Sequence, residues 1–191
     1  MADVIGSELL LGGQRSGKSR RAETLAHAWL DASPNHRSVF IATGQAWDNE
    51  MQMRIARHQQ DRSVSLPQMT TVEAPRAVAE AVRQHCAPDT LVVVDCLTLW
   101  LTNLLMPLDP AQALDEAEVL AAGEALCVAI AEAAGPVVVV SNEVGLGVVP
   151  MGREVRAYVD ALGRLNQQMA SVCERVTLMA AGLPLALKGN A

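Results

Sequence analysis

Glu8-Leu9-Leu10-Leu11-Gly12-Gly13-Gln14-Arg15-Ser16-Gly17-Lys18-Ser19 is the stretch that decides the fold. An apolar run ends in two glycines, and a third glycine precedes a lysine and a serine where a helical pattern begins. Residues 12–19 fit G-x-x-x-x-G-K-[ST] in full. The glycines let the backbone curl so that successive N–H groups point inward, and the helix N-terminus adds its partial positive charge. Such a loop cradles phosphate. Gly12, Gly13, Gln14, Arg15, Ser16, Gly17, Lys18 and Ser19 are therefore the candidate nucleotide-binding residues. Lys18 would reach the β- and γ-phosphates of a nucleoside triphosphate, and the Ser19 hydroxyl would join a Mg²⁺ shell. Lysine is otherwise rare: only Lys18 and Lys188 occur, against thirteen arginines.

Outward from this loop, short β-rich runs alternate with longer helical patterns, which predicts βαβ units and a mostly parallel sheet. Residues 8–12 form the first strand. The helix from Gly17 to about Ala32 follows, with Ala22, Leu25, Ala26 and Trp29 on one buried face. Strands are expected at 38–43, weakly at 70–73, at 90–96 and at 137–141, with two closing strands at 175–181 and 185–188. Asp48 reads as the N-cap of a helix from Asn49 to about Gln60. Pro75 suits the first turn of a helix ending at Cys86. A helix is expected over 111–134, ended by Gly135, and another from Gly152 to about Glu174. With no repeat, low-complexity tract or linker, residues 1–191 read as a single α/β domain. Ligands of a parallel sheet bind at the carboxyl ends of its strands, where the loops after Gly12, Thr43, Glu73, Asp95 and Ser141 converge.

Composition narrows the function classes. Half of the 191 residues are hydrophobic, which suits a globular chain with a full core. The net charge of −6 argues against a nucleic-acid partner. No run of about 18 apolar residues marks a membrane span. Cys86, Cys96, Cys127 and Cys173 show neither a C-x-x-C pair nor a zinc spacing, so they read as buried thiols. With no basic, apolar leader in the sequence, a cytoplasmic location is expected.

Asp95 closes the apolar run Leu91–Val94. It reads either as a Mg²⁺-holding acid at a strand end or as a strand-end cap that happens to be acidic. In residues 47–62, helical spacing puts Arg54, His58 and Arg62 on one face. Arginines beside an imidazole favour its neutral, nucleophilic form and would attract a phosphate. A solvated polar helix face fits the same spacing. His27, His36 and His85 occupy less suggestive places. The loop alone does not name a phosphoryl acceptor. Small-molecule kinases, motor or switch NTPases and nucleotidyl transferases all use it, and a nucleotide-binding regulatory module is a further reading.

Ordered blocks along most of the chain carry a resemblance. They are GGQRSGKSRRAE at 12–23, IATGQAWDNEM at 41–51, RIARH at 54–58, VDCLTLWLTNLL at 94–105, SNEVGLGVVP at 141–150, GRLNQ at 163–167 and AGLPLALK at 181–188. The sequence resembles the bifunctional adenosylcobinamide kinase / adenosylcobinamide-phosphate guanylyltransferases of cobalamin biosynthesis. The resemblance implies a single-domain, three-layer RecA-like P-loop fold, often trimeric. It implies phosphorylation of the adenosylcobinamide hydroxyl by ATP or GTP. It further implies transfer of GMP from GTP, through a guanylyl-histidine, to adenosylcobinamide phosphate. On that basis His58 is the nucleophile, Lys18 serves both steps, and Ser19 and Asp95 hold Mg²⁺. Nucleotide contacts are implied for Gly12–Ser19, Ala42, Thr43, Gly44, Gln59, Gln60, Asp61, Arg62, Glu73 and Asp95. The chain departs from the family pattern with Pro150-Met151-Gly152, where Pro-Glu-Asn is common, and with Asn49, where a second Asp is usual. A small-molecule kinase without a covalent nucleotidyl step is the alternative.

Overall fold

A computed structural model describes residues 6–189, with the side chains of Arg54 and Asp61 outside that description. The elements run β1 (Ser7–Gly12), α1 (Lys18–Ala32), β2 (Arg37–Ala42), α2 (Asn49–Ser65), β3 (Met69–Glu73), α3 (Val78–His85), β4 (Thr90–Asp95), α4 (Leu97–Leu105), α5 (Glu116–Ala131), β5 (Val137–Val140), α6 (Arg153–Val172), β6 (Arg175–Ala180) and β7 (Leu183–Lys188). One sheet has the order β3-β2-β4-β5-β1-β6-β7. All its pairings are parallel except that of β7 with β6.

Period-two alternation splits the core into two layers. Leu9, Leu11, Ile41, Val92, Val94, Val137 and Val139 face one side, against Leu97, Trp100 and Leu101 of α4, Leu126 of α5 and Leu162 and Met169 of α6. Leu10, Phe40, Leu91, Val93, Val138 and Val140 face the other, against Ala22, Leu25 and Ala26 of α1. Trp29, expected on the same buried face of α1, is only half-buried. The three-layer α/β arrangement expected from the sequence is the one observed.

Four local expectations change. The sequence reading placed no helix over Leu97–Leu105; α4 is apolar almost all round, so no stripe of alternating polarity announces it. The helix expected over 111–134 is divided. A 3₁₀ turn at Pro110–Gln112 precedes α5, which starts where Asp115 and Glu118 form a reciprocal capping box. Gly135 lies beyond the helix, at a close approach to the Ala87 carbonyl that leaves no room for a Cβ. Pro75 precedes α3 instead of sitting in its first turn. Its carbonyl accepts a bond from Asn103 Nδ2 at 2.9 Å, and the Arg76 carbonyl accepts one from Trp100 Nε1 at 2.8 Å. Those bonds from α4 hold 75–76 out of helical geometry. Finally, α2 runs five residues past Gln60, since Arg62 is buried and Leu66 caps the end by donating its N–H to the Arg62 carbonyl.

Candidate active site

The phosphate loop spans the gap between β1 and α1. Gly12 has φ +149° and Gly17 has φ +104°, conformations that disfavour a side chain. A Cβ on Gly12 would also strike the Met179 carbonyl and come within 2.6 Å of Ser16 Oγ. The turn between β6 and β7 closes over the loop from outside: Gly182 N–H donates to the Ser16 carbonyl at 2.9 Å. Gly13, Gln14, Arg15 and Ser19 are exposed, whereas Ser16 and Lys18 are buried. Ser16 Oγ is buried without a protein hydrogen-bond partner.

Lys18 points back along the loop. Its ammonium donates to the carbonyls of Gly12 at 2.9 Å and Gly13 at 2.7 Å, and to Asn142 Oδ1 at 2.7 Å. Burial lowers the pKa of the ammonium, while Cys96 and Asp95 oppose that shift by favouring the charge.

Asp95 ends β4, beside Ala42 at the end of β2. Thr43 ties these strand ends together: its hydroxyl donates toward the Asp95 and Cys96 carbonyls at 3.1 and 2.9 Å, and accepts the Cys96 N–H at 2.8 Å. Buried Asn103 of α4 holds the Thr43 carbonyl at 2.7 Å. Gly44 lies against Ile55 and Leu99, within 3.6 Å of a Cβ built there.

Helix α2 brings its charges to the same mouth. Asp48 caps it through a 2.7 Å bond from the Met51 N–H, as expected. The Arg62 guanidinium is buried 3.7 Å over the Phe40 ring. Its pKa is lowered by burial, against the charges of Asp95 and Glu23. Burial raises the Glu23 carboxyl, while Arg62 and His58 pull it down and Asp95 pushes it up. Glu23, His58, Arg62 and Asp95 thus share one electrostatic neighbourhood. His58 itself is solvent-exposed.

The candidates therefore divide. Gly12–Ser19, Thr43, Asp95, His58 and Arg62 gather around the carboxyl ends of β1, β2 and β4. Gln59 and Gln60 are exposed on α2, and Glu73 is exposed at the end of edge strand β3, with β2 between it and β4. The shared face of Arg54 with His58, and the Asp61 contact, concern side chains outside the described residues. His36 has a structural task, its ring stacked on Trp29 at 3.8 Å between centroids.

Two participants escaped the sequence reading. Asn142 follows β5, and its signal was available: a polar residue directly after Val137–Ser141, at a strand's carboxyl end. Glu23 sits four residues after Ser19, on the same face of α1. Asp95 and Ser19 are oxygen donors of the kind Mg²⁺ takes one or two at a time beside phosphate oxygens and water, so the donor set fits that ion. Among the described residues no cluster of three or more His, Cys, Asp or Glu forms an all-protein metal cage.

This sequence matches the model of the family described as cobinamide kinase / cobinamide phosphate guanyltransferase over residues 8–187. The chain belongs to that family. Among the relatives of this kinase/guanyltransferase chain is the bifunctional adenosylcobalamin biosynthesis protein CobP of Pseudomonas aeruginosa, 48% identical over 96% of this chain and 98% of that one. The corresponding CobU protein of Escherichia coli K12 is 36% identical over 94% of this chain and 98% of its own length. Two solved structures share the fold at 12% identity. The flagellar accessory protein FlaH of Methanocaldococcus jannaschii has a TM-score of 0.50 over 97% of this chain and 79% of that one. A KaiC-like protein of Pyrococcus horikoshii OT3 has a TM-score of 0.51 over 91% and 70%. The fold is the RecA-like P-loop arrangement. Among the described residues, no helix of this family member is long and apolar enough to cross a membrane.

Proposed function

We propose that this chain phosphorylates adenosylcobinamide with a nucleoside triphosphate and then guanylylates the product from GTP through His58, giving adenosylcobinamide-GDP. The observation that carries this reading is the convergence of a P-loop lysine with the His58-Arg62-Glu23-Asp95 charge cluster, in a member of this family. In the kinase step the substrate hydroxyl attacks the γ-phosphorus, and the nucleoside diphosphate leaves into the loop N–H groups and Lys18. In the transferase step neutral His58 attacks the α-phosphorus of GTP, and the bond to pyrophosphate breaks. A phosphate oxygen of adenosylcobinamide phosphate then displaces the imidazole. Mg²⁺, held by Ser19 and Asp95, would neutralise charge on the phosphate oxygens.

Gly12–Ser19, Ala42, Thr43, Gly44, Gln59, Gln60, Asp61, Arg62, Glu73 and Asp95 are proposed as the nucleotide contacts. Glu23 and Arg62 bring opposite charges to the surroundings of the nucleophile.

Incubation with α-labelled GTP should leave acid-labile, alkali-stable label on the protein. His58→Ala should abolish it, and undiminished labelling of that variant would refute the assignment. Lys18→Ala should lose both the label and the kinase activity. A kinase without a covalent step would leave the unaltered protein unlabelled. The implied trimer belongs to the same proposal. Exposed Leu146, Val148, Val149, Met151, Leu183, Leu185 and Leu187 supply apolar surface for it, and sedimentation equilibrium reads the mass directly.

A further inference from the structure

Lys18 has three N–H donors and spends them on three protein acceptors. A phosphate oxygen recruited by the same ammonium must replace or share one of them. Two of the three, Gly12 O and Gly13 O, are backbone atoms fixed by the loop. Only Asn142 Oδ1 belongs to a side chain that can turn.

The surroundings of Asn142 allow that turn. Its backbone is anchored: the N–H donates to Thr98 Oγ1 at 3.1 Å, and the carbonyl accepts from Asn166 Nδ2 at 3.0 Å. Asn166 is itself held by Ser141 Oγ at 2.6 Å. The side-chain amide donates from Nδ2 to the same Thr98 hydroxyl at 3.1 Å. Thr98 Oγ1 thus accepts two bonds and still carries a proton of its own. A hydroxyl serves as either donor or acceptor, so it can partner whichever end of the amide faces it.

Resting on the proposed function, we propose that Asn142 is a phosphate-positioning residue that works by an amide flip. With Oδ1 toward Lys18 it holds the ammonium at the mouth of the loop. When a β- or γ-phosphate oxygen takes the third donor of Lys18, the amide turns over. Nδ2 then donates to the phosphate, and Oδ1 accepts from the Thr98 hydroxyl. Asparagine is suited to this task because it presents a donor and an acceptor of nearly equal shape. Aspartate can do only half of it: it pairs with Lys18, cannot donate, and repels the phosphate.

The test is a titration of the full-length unaltered chain, Asn142→Asp and Asn142→Ala with GTP and with GMP, both in magnesium. GMP lacks the phosphates that Lys18 and Asn142 address. Asn142→Asp should lose about tenfold or more in GTP affinity, since a charge-assisted contact is replaced by a repulsive one, while GMP affinity stays within about twofold. Asn142→Ala, which cannot trap the lysine, should show the same selectivity at a smaller size, about threefold. Thermal melts run alongside identify any variant that fails to fold, and the other then decides. GTP affinity within about twofold of the unaltered chain in the folded variants would overturn the proposal, as would equal losses for GTP and GMP. Failure of the unaltered chain to bind GTP would instead overturn the function proposed above.

Discussion

At Gly12, conformation and surroundings both forbid a side chain. Its φ of +149° lies in a region L-residues rarely adopt, and the Met179 carbonyl of β6 occupies the space a methyl group would take. Gly13, its neighbour, has nothing within 4 Å of the same construction. Gly12→Ala should therefore destabilise the protein by about 2–3 kcal/mol and abolish GTP binding, whereas Gly13→Ala should stay within about 0.5 kcal/mol. Urea denaturation and a GTP titration separate the two, and equal effects would contradict the contact. The motif made both glycines visible in the sequence, but not their unequal burdens, which depend on β6 arriving from residue 175 onward. The other site residues divide along the same line. Lys18 and Asp95 were legible because each sits at a strand or helix end that local pattern reveals. Asn142 and Glu23 meet groups 124 and about 35 residues away, respectively Lys18 and His58, and one-dimensional pattern carries no such pairing.

Elements were read well where length and pattern leave one reading, and poorly where an apolar segment offers neither a stripe nor a strand's length. The central strands β4 and β5, and Leu9–Leu11 within β1, are short continuous apolar runs of the kind a buried parallel strand takes. Helix α4 has equally apolar composition, and it was missed because a helix buried nearly all round shows no stripe. The split before α5 was in principle readable, since Asp115 and Glu118 stand at the spacing of a capping box. The Ala/Leu/Glu composition continuing across residues 111–134 obscured it. Asp115 Oδ1 accepts the Glu118 N–H at 2.9 Å, and Glu118 Oε2 accepts the Asp115 N–H at 2.8 Å. Asp115→Ala should consequently cost about 1 kcal/mol with nucleotide binding unchanged, because α5 packs on α3 and α6, away from the phosphate loop. A shift of the urea midpoint at constant slope would show it.

Across the whole molecule, shielded thiols set an alkaline limit, although of the four cysteines expected to be buried only Cys173 is fully so and Cys86, Cys96 and Cys127 are half-buried. Burial raises the pKa of Cys96 and Cys127, and pushes Cys173 up to about 12. Between the ordinary thiol value, about 8.5, and that raised value, the native state holds a proton that the unfolded chain has lost. The unfolded state then binds fewer protons, so stability falls as pH rises through this window, by up to about 1.4 kcal/mol per pH unit for Cys173. Lys18, with its pKa lowered, works in the opposite direction. Urea midpoints at pH 8 and pH 10.5 should show the loss, and Cys173→Ala should flatten it; an equal slope in both proteins would count against the assignment.

The order of strands carries a consequence for how the protein is made. Strand β1 is made before β5 and β6, yet it pairs with β5 on one side and β6 on the other, and the β6–β7 turn props the loop through Gly182. During synthesis the phosphate loop therefore lacks its flanking strands and its outer brace until β5, β6 and Gly182 have emerged. Nucleotide therefore cannot template the early folding of β1 and α1; competence to bind it waits for the closing of the β6–β7 hairpin.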